Sequence, residues 1–164
     1  MLDDEETWTA YHEAGHAVVG YALGGAIESL QLGGEGDPEL PARFGDCRIN
    51  WGRVDPQVDW QRQREILTLL AGPVAEIIYR GEPFDPAFFG AWQDDWRRAW
   101  EIGAAFEDDR RRRSEVLWLL MLRLEQLVRS ERCWPAVSAL ADELLAHEFL
   151  EQEQVEEILA FWIG

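Results

Sequence analysis

The sequence predicts a mainly α fold with a small β-sheet, in one domain, and three observations predict it. Apolar residues recur at helical spacing over most of the chain, whereas only two short stretches have the composition of strands. The 164 residues, 47% hydrophobic and 29% charged, are enough for one substantial core and do not read as disordered. No internal repeat or low-complexity stretch divides them, so residues 1–164 are taken as a single domain.

Residues 5–23 form the first expected helix, with Trp8, Tyr11, Gly15, Val18, Val19 and Ala22 at helical spacing. Asp3 or Asp4 is placed to cap it, and Gly24-Gly25 to end it. Residues 27–32 alternate apolar and polar as a strand does, and 47–51 offer a second short strand. Between them, 33–45 is a loop by its Gly, Pro and acidic content. A helix over 58–79 is expected to kink at Gly72-Pro73, because proline removes a backbone donor. Residues 81–89 read as a loop and 94–106 as an amphipathic helix. A helix over 114–128 has Ser114 at its cap position, and the preceding Arg110–Arg113 run reads as a solvated loop of mixed charge. Residues 134–149 carry Pro135 in the first turn of another helix, and 154–162 form the last.

Charge and cysteine usage exclude several classes. The formal net charge is −17, a field that repels nucleic-acid backbones and anionic membranes alike. Cys47 and Cys133 are far apart and imply no disulfide framework. The acids at positions 3 to 6 do not suit a secretory leader, and no apolar run nears the ~20 residues a span needs. A cytoplasmic location is expected. Of the nine tryptophans, Trp92, Trp96 and Trp100 are spaced to serve either the core or a pocket wall.

The chemistry-bearing segment is His12-Glu13-Ala14-Gly15-His16, an HExxH pattern on the first helix. Four residues advance a helix by about 400°, so the two imidazoles lie on one face about 6 Å apart along the axis. That spacing suits one tetrahedral zinc ion, and Glu13 reaches the same rim from the side. There it can take a proton from an attacking water and return it to a leaving amine. Two of only three histidines fall in this motif, which argues against an accidental match. A catalytic zinc needs a third protein ligand. His147 lies in a stretch that reads as surface, and neither cysteine has ligand spacing. A carboxylate remains, with Asp94, Asp95, Glu76 and Glu101 all open on spacing alone.

The run Thr9-Ala10-Tyr11-His12-Glu13-Ala14-Gly15-His16-Ala17-Val18-Val19 resembles the zinc helix of the FtsH-type proteases, whose helical zinc metallopeptidase domain is fused to an AAA+ ATPase. Leu70-Ala71-Gly72-Pro73-Val74-Ala75-Glu76 resembles that family's second helix, with Pro73 as a departure. Asp95-Trp96-Arg97-Arg98-Ala99 resembles its third-ligand helix, and residues 114–159 are similar to its closing helices. The resemblance implies a zincin-like helical metallopeptidase fold, with His12, His16 and Asp95 as zinc ligands and Glu13 as the base. Asp94 is the competitor of Asp95, because residues 90–93 lengthen the approach by one residue. The unused aspartate is left to orient an imidazole or to serve the helix dipole. The 164 residues hold neither the ATPase module nor membrane segments, so ATP-driven threading does not carry over.

Two functions of different class follow as expectations. One is a stand-alone zinc metallopeptidase acting on peptides or unfolded segments, which the resemblance implies would bind as an added strand along a sheet edge, here the candidate strand 47–51. A separate ATPase or self-association is its implied partner. The other is a peptidase-derived binding or assembly domain that keeps the zinc site; retention of Glu13 speaks against it. A zinc hydrolase of small non-peptide substrates would use the same residues.

Overall fold

The computed structural model describes residues 4–33, 46–55, 58–82 and 93–164. The elements run α1 (Asp4–Ala22), β1 (Ala26–Gln31), β2 (Asp46–Asn50), α2 (Asp59–Arg80), α3 (Gln93–Gly103), α4 (Arg110–Val128), α5 (Cys133–His147), β3 (Phe149–Glu151) and α6 (Gln152–Ile163). The architecture is therefore mainly helical with a small three-stranded sheet, as the sequence predicts.

α1 is the organising element, packed most extensively on α2 and then on α5. Ala10, Ala14, Ala17 and Val18 of α1 are fully buried, as are Leu70, Ala71, Val74 and Ala75 of α2. Small residues allow the two helix axes to approach closely. A Cβ built on Gly15 would lie only 2.6 Å from the Ala71 carbonyl oxygen and from the Ala75 Cβ, so only glycine fits there. Tyr11 stacks on Tyr79 with ring centroids 3.9 Å apart, and also faces Trp134 of α5 at 5.6 Å. These contacts fix the rotational setting of α1 against α2, which decides what its two histidines meet. α2 is a single helix that continues through Gly72-Pro73.

The sheet order is β2-β1-β3, antiparallel throughout, with β2 at one edge. Leu30 pairs with Cys47 on one side and Leu150 on the other. Ile27 and Leu30, three residues apart, are both fully buried. Strict alternation would send them to opposite faces, but the register shifts between Ile27 and Ser29 and brings both inward.

Five sequence expectations change. Arg110–Arg113 is not a loop but the first turn of α4, and the cap is not Ser114 but Asp109, whose side chain accepts from the Arg112 N–H at 2.9 Å. Asp109 can start the helix early because its carboxylate satisfies an end donor and offsets the cationic first turn. Residues 104–106 are a turn outside α3. Phe149 leaves α5 for β3, after Glu148 takes up a left-handed conformation at φ 64°. α6 begins at Gln152, where Glu151 and Gln154 form a reciprocal capping box. Asp3, most of the 33–45 loop, the 83–89 part of the 81–89 loop and Trp92 lie outside the described residues. Trp96 and Trp100 pack, partly buried, against the core.

Candidate metal centre

Two rows of side chains spaced by four residues face each other across the α1–α2 contact. Each step of four turns a helix about 40° beyond one full turn, so such a row stays on one face. On α1 the row is Trp8, His12, His16, and on α2 it is Thr68, Gly72, Glu76, Arg80. The rows run in opposite directions. Arg80 lies over Trp8, Glu76 meets His12, and Thr68 with Gly72 meets His16.

Both imidazoles use Nδ1 to hold their orientation. His16 Nδ1 lies 2.7 Å from the Thr68 carbonyl oxygen, an acceptor only, so Nδ1 carries the proton. His12 Nδ1 lies 3.1 Å from Glu76 Oε1 and donates to it. The two Nε2 atoms are thereby turned toward one place, and α3 brings a carboxylate to it. Asp95 Oδ2 is 2.8 Å from His12 Nε2 and 3.3 Å from His16 Nε2. Metal-ligating histidines characteristically donate their second ring nitrogen to a carboxylate or backbone carbonyl, which is the pattern here.

Glu13 completes the cluster. Its ligand oxygen and the ring nitrogens of His12 and His16 lie within 4.8 Å of one another. The donor set fits a metal ion: two oriented nitrogens and carboxylate oxygens in a site screened from water.

The electrostatics reflect the same convergence. Burial opposes charging of His12, but hydrogen bonds to Asp95 and Glu76 outweigh it and raise its pKa to about 10. His16 is raised as well, with Asp95 overcoming the opposing effect of burial. Burial alone would raise Asp95, yet the charge of His16 and the hydrogen bonds from both histidines hold it well below the usual carboxylate range. Glu13 moves the other way, pushed up by burial against the pull of His16 and His12. Two neighbouring carboxylates are thus driven apart in acidity by their surroundings. Burial also pushes up the thiol of Cys47, and the charges of Glu13 and Asp46 add to the rise, which sets β2 alongside the cluster.

Of the residues expected at the site, His12, Glu13, His16 and Asp95 come together. Asp94 does not: it points to solvent, pairs with Arg97 at 3.1 Å, and orients no imidazole. Neighbours on a helix differ by about 100°, so α3 can turn only one of the two aspartates inward. Glu76 enters the centre at the outer nitrogen of His12, where it orients the ring. Glu101 is exposed, and His147 sits on the surface beside Glu143 at 3.2 Å. Sequence reasoning missed the Thr68 carbonyl, Gly72 and Arg80. The four-residue repeat from Thr68 to Arg80 was the signal that could have found them.

A scan of protein-family models gives no match to the chain, and a search of curated proteins gives none either.

Proposed function

We propose that this chain is a zinc metallopeptidase domain that cleaves peptides or unfolded segments, similar in its site to the peptidase domain of FtsH-type proteases. The observation that carries the reading is the convergence of both Nε2 atoms on one Asp95 oxygen, with Glu13 beside them. His12, His16 and Asp95 are the ligands in this reading. When bound, the metal supplies the Lewis acid that polarises the scissile carbonyl and makes an attacking water acidic near neutral pH.

The chain's own residues do the rest. Glu76 and Thr68 hold the two rings so that Nε2 is the ligating atom of each. Glu13 is buried beside the ligands, where it accepts the proton of the attacking water and passes it to the departing amine. Its neighbour β2 is an edge strand. A peptide added along that edge would form main-chain hydrogen bonds, which tolerate varied sequence, and would lie beside Glu13.

Glu13→Gln tests the reading. The variant should bind zinc with its fold intact while peptide hydrolysis is lost, by on the order of 10²-fold or more. Equal hydrolysis by the metal-loaded variant would remove Glu13 from its role. Stoichiometric zinc in the unaltered chain without cleavage of any peptide in a library would favour the binding or assembly domain instead.

A further inference from the structure

Arg80 lies one turn beyond Glu76 on α2 and is held on three sides. Its Nη1 donates to Glu76 Oε2 at 2.9 Å and its Nη2 to Glu82 Oε1 at 2.8 Å. The guanidinium carbon is 4.0 Å from the ring centroid of Trp8. Its Nε is buried and meets no acceptor among the described residues. An arginine free to choose its setting would turn Nε toward an acceptor or water. Here the planar fork is committed to two carboxylates and one indole, and Nε is left over.

We propose that Arg80 is a positioning residue for the metal centre, which fixes the Glu76 carboxylate so that its other oxygen receives the His12 Nδ1 proton and His12 Nε2 stays aimed at Asp95. The two oxygens of Glu76 divide the work. Oε2 is taken by Arg80 and Oε1 by His12, so rotation of the carboxylate would break one bond or the other. Glu76 is 1% exposed, and a carboxylate at such depth is expensive to keep charged without a cation beside it. Trp8 precedes His12 by one helical turn, so α1 supports the guanidinium that supports its own ligand. Trp8, Arg80, Glu76 and His12 form a closed circuit between adjacent turns of two helices. A lysine at position 80 would keep the charge but lose the fork and much of the stacking.

This inference rests on the metal-binding reading of the site, and zinc affinity measured by competition with a chromophoric chelator separates the two. R80Q should lower zinc affinity on the order of 10-fold, and the d–d spectrum of bound Co2+ should change with it. R80K should recover only part of the affinity. In a Glu76→Gln background R80Q should add no further loss, because no carboxylate remains for Arg80 to hold. That result is not expected of a residue that merely stabilises the fold. Equal zinc affinity in R80Q and the unaltered chain overturns the inference and leaves the metal site standing, as do R80Q and Glu76→Gln losses that multiply. Should R80Q not fold, R80K carries the same comparison, with a several-fold loss expected and unchanged affinity as the refutation. Failure of the unaltered chain to bind zinc would remove the metal reading and this inference together.

Discussion

At the scale of single residues, two adjacent aspartates have opposite fates. Asp95 reaches both histidines, whereas Asp94 pairs with Arg97 at the surface. Asp95→Asn should therefore weaken zinc binding by on the order of 10-fold or more, while Asp94→Asn leaves it nearly unchanged. Chelator competition on the two variants checks this, and the reverse order would move the ligand to Asp94. A second expectation concerns protons. With a pKa raised to about 10, His12 is charged in the metal-free protein at pH 7. The stability this charge contributes is complete below the unfolded value near 6.5 and fades as pH rises toward about 10. A metal must displace that proton, so zinc loading at pH 7 should release at least one, and apparent affinity should climb across the same window. Calorimetric titration in buffers of different ionisation enthalpy measures the release. A heat independent of buffer would contradict it.

At the scale of elements, the α1–α2 contact decides whether a centre exists. Gly72 faces His16, and a Cβ added there would overlap the imidazole at Nε2. Gly72→Ala sets two effects against each other. Alanine favours the helix by about 1 kcal/mol, whereas overpacking at a close contact costs typically 1–3 kcal/mol. The net change in stability should be small and destabilising, about 0–2 kcal/mol. The change in zinc affinity should be large, because the displaced atom is the His16 Nε2 proposed as a ligand. Urea unfolding of the metal-free variant and its zinc affinity measure the two separately. Wild-type affinity in Gly72→Ala would mean that His16 has another setting available.

The whole molecule gathers its site residues from separate elements. His12, Glu13 and His16 come from α1, Thr68 and Glu76 from α2, and Asp95 from α3. A metal held by α1 and α3 would tie together helices whose site residues stand about eighty positions apart in sequence. At a free zinc concentration 100 times the Kd, binding would add about 2.7 kcal/mol of stability. For a chain of this size that corresponds to roughly 5–10 °C in melting temperature. Chelation followed by thermal unfolding should show that fall, and readdition of zinc should reverse it. An unchanged melting temperature would count against a metal bridging these helices. No helix among the described residues is long and apolar enough to cross a membrane.

Local rules determined much of what is seen. The spacing of apolar residues set six helices, with several ends misplaced, as where Asp109 caps α4 early and Glu148 turns the chain from α5 into β3. The HExxH spacing placed His12 and His16 on one face of α1, since that follows from helical pitch alone. β3 was not legible: three residues flanked by helices carry no period, and the strand exists because β1 offers an edge for it. Nor could spacing choose among Asp94, Asp95, Glu76 and Glu101. Each is a carboxylate on a helix, and only the rotation of α2 and α3 about their axes assigns their places. Packing sets that rotation, through the fit of Gly15 against Ala71 and Ala75 and the stacking of Tyr11 on Tyr79. The sequence by itself determined that two imidazoles stand side by side on one helix. The tertiary structure decided which nitrogen each presents and which carboxylate meets them, because those choices depend on contacts between elements distant in sequence.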